Sequence, residues 1–389
     1  MEKMYLLIGA DIVPTVSNVE LFIKGNVKEL VGIELLSLLN NAAYRIFNLE
    51  VPLANHEDPI LKQGPNLIAP TSAINGYRCL GIDLFTLANN HILDQNVQGY
   101  YSTVKTLDKA GINYVGAGNN LADAERPYVF SFAEKKVGVY ACAEHEFSIA
   151  KESTPGANPF DSLCSLDHVN ELKQICDYVI VLYHGGKEHY QYPSPNLQKI
   201  CRRLVDKGAN LVICQHSHCI GCEEKFKNGT IVYGQGNFLF DYQNNEYWNT
   251  SILIKVDELF NVSYIPIIKS GNCIRRAEKE KEDEILKEFR MRSEQVTSPG
   301  FVEERYCEFA IANLAKYLNK IKGKESLLYK VVNKLFGNRL RKRTIIQKYD
   351  DKHLITLWNF IDCEAHNELF LKGIQCFIKK STGENKKNQ

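Results

Sequence analysis

At 389 residues, 44% hydrophobic, 24% charged and a formal net charge of +1, the chain has the composition of a soluble globular protein with room for one large domain and a smaller appendage. Near-neutrality argues against bulk nucleic-acid binding, which usually needs a strongly basic face, so no nucleic acid is expected as a partner. The apolar run at the start is too short for a membrane span, and Asp11 follows it too closely for a secretory signal; a cytoplasmic protein is expected, with any membrane contact peripheral.

Tyr5 to Ile8 reads as a first strand with Asp11 just beyond its end, where a lone acid is most often a turn former or helix cap. Leu21 to Leu39 has helical spacing. Tyr44 to Phe47 forms a second strand that stops at Asn48-Leu49-Glu50, and Pro52 prevents further pairing. Ile82 to Leu87 is a third buried strand, followed by Ala88-Asn89-Asn90-His91 and Asp94. A helix over Val97 to Ala110 closes at Gly111, before a short strand at Asn113 to Val115. Strand, polar loop and helix thus repeat as a unit. Val137 to Cys142 is a further strand, and the loop over 143–159, with His145 and Glu146, either overhangs a site or crosses the surface.

Tyr178 to Tyr183 and Asn210 to Cys214 are apolar, β-branched runs that stop at His184-Gly185-Gly186 and at Gln215-His216-Ser217-His218. Between them, after Pro195, a helix over Asn196 to Lys207 puts Leu197, Ile200, Cys201, Leu204 and Val205 on one face. The two strands are therefore expected to be parallel neighbours joined by one crossover. That arrangement brings all three histidines to the sheet end where open α/β sheets bind ligands. Thr230 to Tyr233, Gly234 to Asp241, Ser251 to Lys255 and Val262 to Ile268 read as strands, with turn signals at Asn228-Gly229 and Glu258 to Asn261 predicting antiparallel hairpins. The 12 cysteines are scattered, and Cys164, Cys176, Cys201 and Cys214 fall inside elements that read as core, so buried thiols are expected rather than disulfides.

From about residue 277 the chain becomes charged and helical. Three regions are expected: a sheet domain over 1–276, a helical region over 277–378 and a disordered tail over 379–389. Arg339, Arg341, Lys342 and Arg343, beside Leu335, Phe336 and Leu340, read either as a solvated basic turn or as a peripheral contact with an anionic membrane or polyanion.

Asp11, Glu50, Asn90, His91, His184, His216 and His218 all fall immediately after a predicted strand, on five different strands. Oxygen and imidazole donors converging on one sheet edge are the donor set of a divalent transition-metal site. His216 and His218 are two apart, and in an extended segment both would point the same way, as ligands to adjacent ions do.

Several blocks, in this order and spacing, resemble the CapA/PgsA capsule synthesis family, of the poly-γ-glutamate type, within the calcineurin-like metallophosphoesterase superfamily. They are Gly9-Ala10-Asp11, Asn48-Leu49-Glu50, Leu87 to His91 with Asp94 and Gly99, Gly116-Ala117-Gly118, His184 to Glu188 with Pro195 and Gln198, Gln215 to His218, and Tyr233 to Phe238. The resemblance spans residues 4–242. It implies an α+β fold, a four-layer αββα sandwich, around a centre of two divalent ions of Mn, Fe or Zn. It also implies Glu50 as bridging carboxylate, Asp11 and His218 on one ion, Asn90, His184 and His216 on the other, and His91 beside the substrate, with Glu188 a second catalytic candidate. The implied activity is that of a metal-dependent hydrolase or transferase acting on a phosphoester, or on an amide or ester bond of an acidic polymer or its precursor, with capsule synthase subunits as partners. The alternative is a non-catalytic accessory subunit of a polymer synthase. Three positions depart from the superfamily pattern: Val13 stands for a histidine, Glu50 for an aspartate and Gln215 for a glycine. One ion is then expected to draw only Asp11, Glu50 and His218 from the protein.

Overall fold

Leu6, Leu7 and Ile8 are consecutive and all fully buried. Successive strand residues face opposite sides, so a strand with no exposed position is covered on both faces. The layers covering this strand define the fold. The computed structural model describes residues 4–62, 64–241 and 245–321, with isolated positions from 349 to 374. It contains two compact units, Met1–Glu304 and Arg305–Gln389.

In chain order the first unit begins β1 (Tyr5–Val13), α1 (Val19–Lys24), α2 (Val27–Asn41), β2 (Tyr44–Leu49), α3 (Ile74–Cys79), β3 (Leu84–Thr86), α4 (Asn96–Ala110), β4 (Asn113–Val115), β5 (Ala117–Gly118), α5 (Leu121–Ala124), β6 (Tyr128–Phe132) and β7 (Lys135–Ala143). It continues β8 (Gly156–Ala157), α6 (Ser165–Ile175), β9 (Tyr178–His184), α7 (Pro195–Asp206), β10 (Leu211–Gln215), β11 (Glu223–Phe226), β12 (Gly229–Val232), β13 (Asn237–Phe240), β14 (Thr250–Asp257), β15 (Val262–Ser270), β16 (Cys273–Arg276) and α8 (Lys279–Val296). The helix α9 (Phe301–Ile321) follows.

Two sheets carry the architecture. The larger runs β16-β15-β14-β1-β2-β3-β4, with β13 also paired to β1, and the smaller runs β11-β12-β10-β9-β7-β6. β9 and β10 are parallel neighbours, as the helix between them predicts, with Gln215 opposite His184. The expected hairpins form as β11–β12 and β14–β15. Alternation in the smaller sheet divides its side chains between two cores. Val139, Ala141, Ile180, Leu182, Leu211 and Ile213 join the core shared with the larger sheet, while Tyr140, Cys142, Val179, Val181, Val212 and Cys214 pack with residues of α6 and α7. Phe22 of α1, Leu30 and Leu35 of α2 and Tyr77 of α3 pack against the larger sheet. The result is an α+β sandwich, helices on two face-to-face sheets.

At the centre the fit is close. A Cβ on Gly9 would fall 1.9 Å from Phe47 Cε1, and the Phe47 ring is itself packed on Phe238 with centroids 4.7 Å apart. Gly9→Ala is expected to destabilise the fold by about 3 kcal/mol, read as a lower midpoint in urea with an unchanged slope.

Several elements differ from their sequence expectation for identifiable reasons. β1 does not end at Ile8. It pairs with β14 up to that residue, passes a bulge, and from Asp11 pairs with β13, so Asp11 lies inside the strand. The single helix expected over Leu21 to Leu39 is two: Gly25, at φ 65°, caps α1, and within α2 Gly32, at φ 76°, breaks the helical path where Arg275 lies against it. Cys164 is exposed beside the start of α6, whereas Cys176, Cys201 and Cys214 are buried as free thiols. The first compact unit runs past residue 276, because α8 buries Ile285 and Phe289 against Ile220, Ile252 and Tyr264. Among the described residues no helix is long and apolar enough to cross a membrane. The basic turn from Arg339 to Arg343 and the tail over 379–389 lie outside the described residues.

Candidate metal centre

Strands from both sheets deliver the expected residues to one place. Asp11 sits in β1, level with Asn48 of β2 and Asn237 of β13. Glu50 follows β2, Asn90 and His91 follow β3, His184 ends β9, and His216 and His218 follow β10. All of these but Asn90 are buried. Glu50, His184 and His216 each offer a ligand atom, all within 4.8 Å of one another, and so do Asp11, Glu50 and His218. Glu50 belongs to both groups.

The geometry within them is specific. His184 Nε2 lies 3.2 Å from Glu50 Oε1 and 3.0 Å from Asn90 Oδ1, whose amide nitrogen donates to Glu146 at 3.0 Å. His218 Nδ1 lies 3.4 Å from Asp11 Oδ2. The rings of His184 and His216 are 4.9 Å apart, and those of His216 and His218 5.9 Å. The last pair does not reach this arrangement from an extended segment. Both residues have left-handed backbone, φ 81° and 51°, a conformation that costs a non-glycine residue about 1 kcal/mol or more and concentrates at functional sites.

A layer of amides holds these donors. Asn48 Nδ2 donates to Asp11 Oδ1 at 2.7 Å and lies 3.2 Å from His184 Nδ1, while Asn89 donates to Asn48 Oδ1 at 3.0 Å and to the Leu49 carbonyl at 2.8 Å. Gln215 donates to the Gly9 carbonyl at 3.2 Å, tying the smaller sheet to β1, so the departure from glycine there serves the join between sheets. Val13 is buried, faces Phe240 in the pairing with β13, and offers no donor.

Asp11 Oδ2, both carboxylate oxygens of Glu50 and His216 Nδ1 are buried with no hydrogen bond of acceptable geometry. Leaving such a group unpartnered costs about 1–3 kcal/mol, and four of them in one cluster of carboxylates and imidazoles is the donor chemistry of a divalent cation site. The residues present fit a metal. Burial acts to raise Glu50, but the facing His218 and His184 outweigh it and hold this carboxyl below the usual range. Asp11 is pushed up, by burial and then by repulsion from Glu50. His216 is pushed well down by burial and by the other two rings. Burial opposes protonation of His218 too, but Glu50 and Asp11 prevail and raise it to about 9.

In metal-free protein these shifts have a definite sign. His218, raised above its ordinary 6.5, stabilises the fold fully below pH 6.5, and this contribution is lost as pH rises through 9. His216, lowered, opposes folding as pH falls below 6.5. Chelated protein is therefore expected to melt highest near pH 6.5 and roughly 5 °C lower at pH 9.5, while metal-loaded protein shows no such fall; thermal melts across this range check it.

His91 stands outside both donor groups. Its Nδ1 lies 2.5 Å from Asp94 Oδ2, and the same oxygen accepts from the Leu67 backbone at 2.6 Å. The buried Lys62 ammonium pairs with the other Asp94 oxygen and lies 3.2 Å from His91 Nδ1. Glu188 is exposed on the loop after β9, and among the described residues it makes no hydrogen bond or ion pair with either group; the structure does not bring it together with the others. The loop over 143–159 lies against the site, since Ser148 donates to the Asn90 carbonyl at 2.8 Å and accepts from the Leu93 backbone at 3.2 Å. The Trp248 ring packs 4.7 Å from those of both His218 and Phe240. Sequence reasoning assigned no role to Asp94, Asn48 or Asn237, although their motifs were visible, and Lys62 carried no signal at all.

The family model for bacterial capsule synthesis protein PGA_cap matches residues 27–242, more than half of the chain and all of the expected site residues except Asp11. The capsule biosynthesis protein CapA of Bacillus anthracis is 27% identical over 212 residues, 52% of this chain and 52% of that protein. The PGA biosynthesis protein CapA of Bacillus subtilis is 32% identical over 161 residues, 40% of this chain and 41% of that one. A Mycobacterium tuberculosis protein described as a probable polyglutamine synthesis accessory protein is 28% identical over 231 residues, 54% and 59% respectively. The chain spans about half the length of the curated relatives it matches. Solved structures that align with it include a phosphatase from Mycoplasma pneumoniae, at 14% identity and a TM-score of 0.42 over 69% of this chain and 94% of that one. A 5'-nucleotidase precursor from Thermus thermophilus aligns at 14% identity and a TM-score of 0.38 over 74% and 58%.

Proposed function

The chain belongs to the bacterial capsule synthesis protein family PGA_cap, and we propose that it serves capsule or other surface-polymer synthesis as a metal-dependent hydrolase or transferase. Its target in this reading is a phosphoester, or an amide or ester bond of an acidic polymer or its precursor. One observation carries the proposal: two groups of buried donor atoms meet at Glu50, and neither of its oxygens has a hydrogen-bond partner. Asp11, Glu50 and His218 would hold one divalent ion, and Glu50, Asn90, His184 and His216 a second, of Mn, Fe or Zn. When bound, such a pair supplies a deprotonated water near neutral pH and positive charge against the reacting oxygens.

The remaining chemistry belongs to side chains. Asp94 accepts the Nδ1 proton of His91 and so fixes the ring tautomer, which leaves Nε2 as the atom that holds or hands over a proton at the leaving group. Lys62 offsets the Asp94 charge in a place where water does not reach it. The test is metal analysis of the purified chain together with a screen on phosphomonoesters, phosphodiesters and γ-glutamyl amides. Near-stoichiometric metal and turnover of one class, lost on chelation and restored by one metal, are expected. Protein still without metal after anaerobic purification and reconstitution removes the reading. A second reading, a non-catalytic accessory subunit bound to a polymer synthase, is supported by the name carried by the Mycobacterium tuberculosis relative. Exchange of His91 separates the two.

A further inference from the structure

The two donor groups share a pattern that reaches one residue further than the carboxylates and imidazoles. Around His184 Nε2 stand a carboxylate oxygen, Glu50 Oε1 at 3.2 Å, and a carboxamide oxygen, Asn90 Oδ1 at 3.0 Å. Around His218 Nδ1 stand Asp11 Oδ2 at 3.4 Å and a second carboxamide oxygen, Asn237 Oδ1 at 2.8 Å. Neighbouring ligands around an ion with bonds of about 2.1 Å lie about 3 Å apart, so both triplets have the spacing of donors to one cation.

The rest of Asn237 points the same way. It is buried, and its Nδ2 has no hydrogen-bond partner. A carboxamide placed for both of its ends would satisfy both; this one is placed for its oxygen. Its position is built into the backbone. Gly234 and Gly236 have φ of 129° and 79°, and a Cβ on Gly236 would fall 2.7 Å from Ser251 Cβ and 2.9 Å from the Thr250 carbonyl oxygen. That turn feeds β13 into register with β1, Asn237 directly opposite Asp11. Asp11 Oδ1 is taken by Asn48, so Oδ2 and Asn237 Oδ1 are the oxygens left facing His218.

We propose that Asn237 is a metal ligand, supplying the carboxamide oxygen that completes the Asp11, Glu50 and His218 position as Asn90 does for the other. This rests on the metal-site reading above. It makes the two positions unequal: one has three oxygens to a single imidazole, the other two oxygens to two imidazoles. The oxygen-rich position suits a harder cation such as Mn2+, the other a softer one such as Zn2+.

The test uses the full chain, Mn2+ and two variants. Wild-type protein is expected to bind two Mn2+ and to show the spin-coupled EPR signal of a dinuclear centre. Asn237→Ala should keep one ion, weaken the second at least 10-fold, and show the six-line signal of isolated Mn2+; Asn237→Asp, which restores an oxygen, should recover the second ion. A crystal structure of Mn2+-loaded wild-type protein should place Asn237 Oδ1 within about 2.4 Å of an ion, which keeps the question answerable if a variant does not fold. Two ions bound with Oδ1 beyond about 3 Å, the residue acting on His218 alone, overturn this proposal and leave the metal-site reading standing, as does unchanged binding of two ions by Asn237→Ala. Wild-type protein that binds none of Mn2+, Fe2+ or Zn2+ overturns both.

Discussion

Glu50→Gln protein is expected to carry less than about a tenth of the wild-type metal and to lose on the order of 10³-fold in any metal-dependent turnover. Glu50 is the one residue common to both donor groups, it is fully buried, and neither of its oxygens is engaged elsewhere. Glutamine has the same shape, so packing is preserved. What changes is charge and one donor atom: an anion that offsets two cations becomes a neutral amide with an NH2 aimed at imidazoles. Single changes at His184 or Asp11 remove one ligand from one group, so their losses should be smaller and unequal. Metal content by mass spectrometry, on protein whose circular dichroism matches wild type, reads the result. Metal retained at wild-type level in Glu50→Gln would remove Glu50 from the bridging position.

His91→Ala should behave in the opposite way, keeping its metal while turnover falls by about 10²–10⁴-fold. The ring belongs to neither donor group, and its Nδ1 is committed to Asp94, so the variant removes a proton-handling atom without removing a ligand. The fall should lie in kcat more than in KM if the proton moves in the transition state. This pair of variants divides the readings. An accessory subunit needs the fold and its surface, and in cells it should support polymer synthesis without His91. A hydrolase or transferase should not.

Local pattern made much of this legible before any coordinates. Apolar, β-branched runs that end in histidine or asparagine are written in consecutive residues, and the helix between Tyr178 and Cys214 fixes the hand and direction of its crossover. Whatever depends on distant pairing was not legible. The length of β1 is set by a change of partner from β14 to β13, which no window around Asp11 contains. The histidines are legible, but the left-handed backbone of His216 and His218 is not, since even histidine, enriched there over most residues, adopts positive φ at only a small minority of positions. Lys62 is a lysine in an irregular loop, and only the folded chain brings its ammonium to Asp94. Glu188 is the reverse case, a residue inside a telling motif that faces solvent.

The partner change in β1 also sets an order of events during synthesis. While β1 and β2 are made before the rest of the sheet, β1 has β2 on one side and an open edge on the other, because the strands that close that edge are the last of the sheet to be made. Such long-separation pairing is slow and leaves a sticky border exposed to other nascent chains. Asp11, in the first strand of this sheet to be made, waits for nearly the whole sandwich before Asn237 arrives opposite it, so the candidate metal centre is assembled late in the making of the sandwich rather than serving as a scaffold for it.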